Sequence, residues 1–355
     1  MAETAAKAGM HEAGGMEFQI QPIAQARSRW RRLTDTVPGA ALYHREAWLE
    51  LLERCWGLRL WVATIGRGDR ADAGCVLARA RNPLAPRMIG LPFSDFCAPL
   101  AVDEGARDRL LDELAAQRPA ERLELRGVAA APAPWQSVAC FERWTIGLAQ
   151  PFWSLERGMA RNFRANARRA ARAGVKIERG CAAEQVARFY ALQLVTRRRL
   201  GVPPQPQRLF RTVHEIFSRA GNCEIWLASM GGSDLAGLFV LRDRDDLYCK
   251  WSARRAGAVE GASHLLTVSL LEEFAGKARL LDRGRVDVRN AGLRHFKKDQ
   301  GAQPAPLPYA YFPKAPRQVS AEALSGPAKL ASRLWRHLPL PVTRMLGAAL
   351  YGYFA

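Results

Sequence analysis

Apolar positions along the chain change their period repeatedly, and each change marks an element. Between 45 and 55, Ala47, Trp48, Leu51, Leu52 and Cys55 fall three or four apart, the spacing of a helix with one buried face. Short runs of strand character cover 60–65 and 75–80, separated by a turn around Arg67-Gly68-Asp69. An amphipathic helix over 103–117 and a short strand over 122–126 follow. The Ala- and Pro-rich segment 129–134 reads as a linker before a strand near 145–148.

The second half repeats the alternation with longer helices. Residues 155–173 form one arginine-rich helix closed by Gly174 as its C-cap. A second helix spans 183–200, Gly201-Val-Pro-Pro-Gln-Pro206 breaks it, and a third spans 207–220. Three strand-like runs at 223–230, 235–242 and 247–253 are separated by turns and predict a hairpin meander. On the last strand, alternation puts Tyr248, Lys250 and Ser252 on one face, either a cleft or solvent, and Cys249 and Trp251 on the other. A helix over 261–276 follows. Near the C-terminus Val342, Met345, Leu346, Ala349, Leu350 and Tyr353 repeat with helical spacing after Pro341.

Composition narrows the class. A chain of 355 residues exceeds one comfortable core and points to two domains, which 48% hydrophobic residues suffice to build. Fifty-three Lys and Arg against thirty-four Asp and Glu give a net charge of +19, a field that attracts phosphates, nucleic acid or an anionic membrane. A GC-rich genome would inflate Arg and Ala without regard to function, but it does not explain the deficit of acids. Seven scattered cysteines with no Cys-x-x-Cys pair, and six scattered histidines, predict reduced thiols and no metal site. Residues 1–16 read as a disordered leader, not a secretory signal, and no apolar run is long enough to span a bilayer. A cytoplasmic protein is the expectation.

Charge is concentrated. From Arg157 to Arg199 twelve basic residues face only Glu178 and Glu184, a local net of +10. Arg161, Arg164, Arg168 and Arg172 share one helix face, a solvated stripe or a clamp for phosphate oxygens. In the tail, Lys329, Arg333, Arg336 and His337 interleave with Leu330, Leu334, Trp335 and Leu338. That pattern can pack on its own domain or lie along a membrane interface, with 328–355 meeting the inner leaflet.

The densest constellation runs from Asp282 to Gly301. Only eight of the basic residues are lysines, and two of them, Lys297 and Lys298, are adjacent here beside Phe296. An ammonium on a flexible stem can serve a developing oxyanion or a phosphate, although a solvated basic loop would look similar.

This stretch resembles the C-terminal signature of FemAB-like acyltransferases, a branch of the GNAT-like superfamily that includes the aminoacyl transferases of peptidoglycan cross-bridges. The shared pattern appears as Asp282-Arg283-Gly284-Arg285, Gly292-Leu293, Phe296-Lys297 and Gly301, with Arg283 where an aromatic is usual and Gln300 where Trp is common. Arg161 to Val175, Phe189-Tyr190, Thr196 to Pro203, Leu91 to Phe96 and Leu123 to Arg126 are also similar to members of the group.

The resemblance implies an α/β fold of layered α+β type: two tandem GNAT-like domains, each a mixed, mostly antiparallel sheet flanked by helices. The expected bounds are a leader at 1–16, domains at 17–150 and 151–315, and a basic amphipathic tail at 316–355. It implies acyl transfer, from acyl-coenzyme A or from aminoacyl-tRNA, to a cell-envelope or exopolysaccharide precursor that bears phosphate or is lipid-linked. Lys297 would stabilise the oxyanion or phosphate and Phe296 would position it. Arg285, Arg161, Arg164, Arg168, Tyr248 and Lys250 would hold substrate. Arg254, Gly257 and Gly261 would serve the coenzyme A pyrophosphate, although Val259 breaks the usual glycine spacing and a plain turn is the alternative. The alternatives are a tRNA-dependent peptidoglycan aminoacyl transferase and a non-catalytic binder of polyanions. The pattern does not set an oligomeric state.

Overall fold

The computed structural model describes residues 16–80, 87–255, 257, 259–316 and 327–354. They fall into two compact units, one running to Cys140 and resuming at Pro306, the other comprising Phe141–Ala305 with the tail. Each crossing lies inside a strand, so the boundary expected at 150 falls at 141. The 306–316 stretch belongs to the first unit, and the tail is part of the second rather than a separate segment. The leader expected at 1–16 lies outside the described residues except for Met16.

In the first unit the order is β1 (Glu17–Pro22), α1 (Ile23–Thr36), α2 (Glu46–Trp56), β2 (Leu60–Arg67), β3 (Arg70–Arg79), β4 (Met88–Ile89), β5 (Leu100–Ala101), α3 (Glu104–Gln117) and β6 (Leu123–Arg126). The Asp103 carboxylate accepts from the amide of Ala106 at 2.7 Å and caps α3, while Gly57 in the left-handed region ends α2. After β7 (Gln136–Gly147) and the second unit, β13 (Gln303–Phe312) returns and pairs Tyr309–Phe312 with β6. Pro304, Pro306 and Pro308 each lack a ladder donor. The pairing with β6 uses only residues beyond them.

One loop of this unit is held under strain. Leu91 and Phe93 have φ of +53° and +64°, rare for bulky side chains. Trp48 donates to the Ser94 hydroxyl at 2.8 Å, the buried Arg126 donates to the Ser94 carbonyl at 2.9 Å, and Tyr309 donates to the Asp95 carbonyl at 3.0 Å.

The second unit runs α4 (Phe152–Gly158), α5 (Arg161–Arg172), β8 (Lys176–Gly180), α6 (Ala183–Leu200), α7 (Gln207–Phe217), β9 (Cys223–Met230), β10 (Ser233–Asp243), β11 (Asp246–Arg254), α8 (Ala262–Phe274), β12 (Leu280–Asp287) and α9 (Ala291–Asp299). The tail adds α10 (Pro327–Trp335) and α11 (Leu340–Leu350). Strands lie in the order β7-β12-β11-β10-β9-β8, antiparallel except for β11 beside β12. Val240, Cys249, Leu266, Leu270 and Phe163 share a core cluster with α5 and α8. Phe239 and Trp251 meet edge-on at 5.4 Å and pack with Phe210 of α7 and Phe189 of α6 on the opposite face. The expected mixed, mostly antiparallel α/β architecture, with its meander, is the one observed.

Local details depart from the sequence reading. The single helix expected at 155–173 is two, because Met159 is extended and the amide of Ala160 donates to the carbonyl of Asp299 at 2.9 Å. Gly158, a poor helix residue, ends the first piece. The helix expected at 207–220 ends at Phe217 and continues as one tighter turn. Lys250 sits in a β-bulge: Phe239 pairs with Trp251 but Val240 pairs with Cys249. The extra residue shifts the phase, so Cys249 and Trp251 point to opposite faces, and strict alternation through Tyr248, Lys250 and Ser252 fails.

Helices α5 and α8 approach closely at Gly261, whose φ is +94° and whose Cβ, if present, would lie 2.0 Å from the carbonyl oxygen of Asn166. Gly276 has φ +71° but open space around it. In urea unfolding, Gly276→Ala should cost about 1 kcal/mol and Gly261→Ala at least about 2–3 kcal/mol, the difference measuring the collision. Equal losses would mean that backbone strain alone fixes the glycine.

Candidate active site

Strands β11 and β12 are paired from Asp246 and Leu280 to Tyr248 and Asp282, and then part although both continue. Backbone groups beyond that point need other partners. The Asp282 carboxylate, 2% exposed, accepts from the amide of Gly284 at 2.6 Å and from Arg143 at 2.6 Å. Gly284 has φ +77°, and β12 slips against β7 between Asp282 and Arg285. Across this bulge lies Lys297 of α9, itself buried. Its ammonium donates to the carbonyls of Arg283 at 2.6 Å and Gly284 at 3.0 Å.

The geometry therefore has Lys297 holding strand backbone where the two strands separate. Beside it Cys249 is buried, which pushes its thiol up against the opposing pull of Arg283 and Lys297. Arg283 has two buried guanidinium nitrogens, Nε and Nη1, with no hydrogen-bond partner. Buried donors left unmatched are costly, so this positive group marks a place where an oxygen would be stabilised.

A second feature lies at the far end of β11. A cleft of about 340 Å³ is lined by Arg199, Arg254, Arg255, Gly257, Gly261, Ser263 and His264, and also by Glu260, the partner of Arg169. It sits at the N-terminus of the thirteen-residue α8, where unpaired amides and the helix dipole favour an anion. The Thr196 hydroxyl accepts from the amide of Arg254 at 2.8 Å and donates to its carbonyl at 3.0 Å, tying the loop to α6. Arg199 has a buried Nε without a partner. Burial, and then the adjacent Arg254 charge, hold the His264 imidazole below its ordinary range.

The structure thus brings Arg254, Gly257 and Gly261 together. Phe296, half-buried, meets the His264 ring edge-on at 5.8 Å and lies 6.0 Å from Phe163, which joins α9 to the start of α8 and to α5. The stripe on α5 is less free than its sequence suggested. Arg168 pairs with Glu156 at 2.9 Å, an acid just outside the 157–199 window, and neighbouring Arg169 pairs with Glu260 at 2.7 Å. Arg161 is exposed, and Arg164 is half-buried with an unpartnered Nε. Arg285 lies over the Phe141 ring at 4.4 Å, and Tyr248 is buried. Among the cleft and splay residues, Arg199, Arg255, Ser263, His264 and Arg283 escaped the sequence reading as site residues. Arg283 carried a signal, a charge where the FemAB-like pattern has an aromatic, and Arg199 lay within the Thr196–Pro203 resemblance. Among the described residues no cluster of three or more metal-ligating side chains occurs.

Residues 157–296 match the family model of the acetyltransferase (GNAT) domain. The second unit is a GNAT acetyltransferase domain. The fold of the chain is that of FemX and of tandem GNAT proteins, and the matched domain is of the acyltransferase class. FemX is similar at 13% identity over 82% of this chain and 96% of that one, with a TM-score of 0.61. The C-terminal domain of a putative lysylphosphatidylglycerol synthetase from Agrobacterium fabrum matches at 13% identity over 92% and 97%, TM-score 0.55. A tandem GNAT protein from the clavulanic acid biosynthesis pathway matches at 14% identity over 85% and 100%, TM-score 0.54. At these identities the likeness is one of fold. No curated protein matches the sequence.

Replacing Lys297 by Met keeps the stem but strands two carbonyls. Urea unfolding should show a loss of about 2–4 kcal/mol. A variant of native stability that had lost all turnover would instead make the ammonium a catalytic group.

Proposed function

We propose that the GNAT domain transfers an acyl group from acyl-coenzyme A to an amine or hydroxyl of a phosphate-bearing or lipid-linked cell-envelope precursor, at the inner face of the membrane. The cleft at the N-terminus of α8 carries this reading. Arg199, Arg254 and Arg255 converge there with helix amides, and Gly261 leaves no side chain in the way.

Acyl-coenzyme A, when bound, supplies an activated carbonyl. Arg254 and Arg199 hold its phosphates. Five residues back along β11, about 16 Å at strand spacing, the buried Cys249 is the first residue past the pairing of β11 with β12. There the unmatched nitrogens of Arg283 donate to the carbonyl oxygen as negative charge builds on it, while Lys297 keeps the bulge that aims them. The acceptor's attack forms a C–N or C–O bond, the C–S bond breaks, and the acceptor's proton leaves as the thiol is released. Arg161 and Arg164 of α5 hold the acceptor's phosphate. The similarity to FemX and to a lysylphosphatidylglycerol synthetase domain supports an envelope or lipid acceptor. The same similarity, with the local excess of arginine, favours aminoacyl-tRNA as the second candidate donor.

Calorimetry with acetyl-coenzyme A and with aminoacyl-tRNA separates the donors. Coenzyme A binding should weaken about tenfold in Arg254→Ala and again in Arg199→Ala, the value of one charge-assisted hydrogen bond each. Native protein that binds aminoacyl-tRNA but shows neither heat nor a stability shift with acetyl-coenzyme A would sink the proposal.

A further inference from the structure

The tail seats itself inside out. Helix α11 packs against α6 and the 201–206 break through Thr343 and Gly347, which are buried, and a Cβ on Gly347 would lie 2.6 Å from Pro204. Helix α10 does the same over Gly201, where a Cβ would lie 2.3 Å from the Ser332 hydroxyl. Trp335, Leu338, Val342 and Leu346 are half-buried, but five other bulky apolar residues point away. Leu330, Leu334, Met345, Leu350 and Tyr353 are 59%, 60%, 65%, 41% and 56% exposed. A helix pair that stabilised only its own domain would turn these five inward.

The charge around them has one sign. From 327 to 354 the chain contains Lys329, Arg333, Arg336 and Arg344 and no Asp or Glu. An apolar ridge flanked by unopposed cations matches a surface with negative charge above hydrocarbon. A second copy of this chain would bring the same cations face to face. Among the described residues no helix is long and apolar enough to cross a membrane, and α11 has eleven residues, so the pair can lie on a bilayer but not span it. Beside Met345 a cleft of about 430 Å³, lined by Leu194, Leu340, Pro341, Arg344 and Met345, combines apolar walls with one guanidinium.

We propose that α10 and α11 dock the protein on an anionic phospholipid bilayer, with Leu330, Leu334, Met345, Leu350 and Tyr353 set into the interface. This surface is independent of the donor and of the reaction, so its test needs no turnover.

The full chain is sedimented with phosphatidylcholine vesicles and with vesicles that also contain phosphatidylglycerol. Partitioning should be at least about tenfold stronger onto the second and should fall as salt rises, because each basic residue near an anionic surface contributes roughly fivefold. Leu334→Glu with Met345→Glu should lower it about tenfold or more with an unchanged melting temperature, both positions being exposed. Arg333→Glu with Arg336→Glu should erase the preference for phosphatidylglycerol. Equal partitioning onto both vesicles, or native binding by the Leu334/Met345 variant, would overturn the proposal. So would a lipid-free dimer that Met345→Glu makes monomeric, since a second copy would then own the ridge.

Discussion

The second unit is organised by the point where β11 and β12 stop pairing. Beyond Tyr248 and Asp282 each strand loses ladder partners on one side, and buried backbone groups cannot be left unmatched. Three charged side chains meet that demand: Arg143 and Asp282 as a pair, and Lys297 on the carbonyls of Arg283 and Gly284. A buried ammonium is tolerated only when well bonded, so these contacts fix α9 as well as the strand. The carbonyl of Asp299 then receives the amide of Ala160 and sets the start of α5, and α5 presents Asn166 to Gly261 at the head of α8. One break in a sheet thus orders both the gap and the anion cleft.

The arginines differ in what they can do. Arg168 and Arg169 are exposed and already paired, and such surface pairs contribute at most about 1 kcal/mol, leaving them close to solvated decoration. Arg199 buries one nitrogen and Arg283 two with no acceptor from the protein, a cost of about 1–3 kcal/mol that a water or a ligand oxygen relieves. A domain that keeps such a cost is preorganised for binding. The local net charge of +10 is therefore a poor guide to the site: the informative cations are the few that ion pairs leave over.

Much of the fold was legible because it depends on local periodicity. The meander, the helices on either side of it and the arginine-rich segment all follow from apolar spacing, and the Asp282–Gly301 motif falls where β12 leaves β11. What was hidden depends on long-range partners. The bulge at Lys250 exists only because β10 sets the register, and it reverses the face assigned to Trp251. The break at Met159 reflects a bond to Asp299, 139 residues onward from Ala160. β13 begins among prolines and is revealed only by pairing with β6. Lys297 drew notice as a rare lysine, yet the carbonyls it serves belong to a bulge that spacing alone cannot show.

The tail carries the same lesson one step further. Its helical period was readable, and so was its apolar stripe, but a stripe does not declare what it faces. That is decided by Gly201 and Pro204 on one side and Gly347 and Ser332 on the other, which let backbones approach too closely for large side chains to intervene. Close approach through small residues is the way helices pack when burial of apolar bulk is not the driving force. Here it leaves that bulk available to a second, apolar phase. The cations around it then restrict which phase: neutral hydrocarbon alone would not reward four unopposed charges, whereas an anionic interface rewards ridge and rim together.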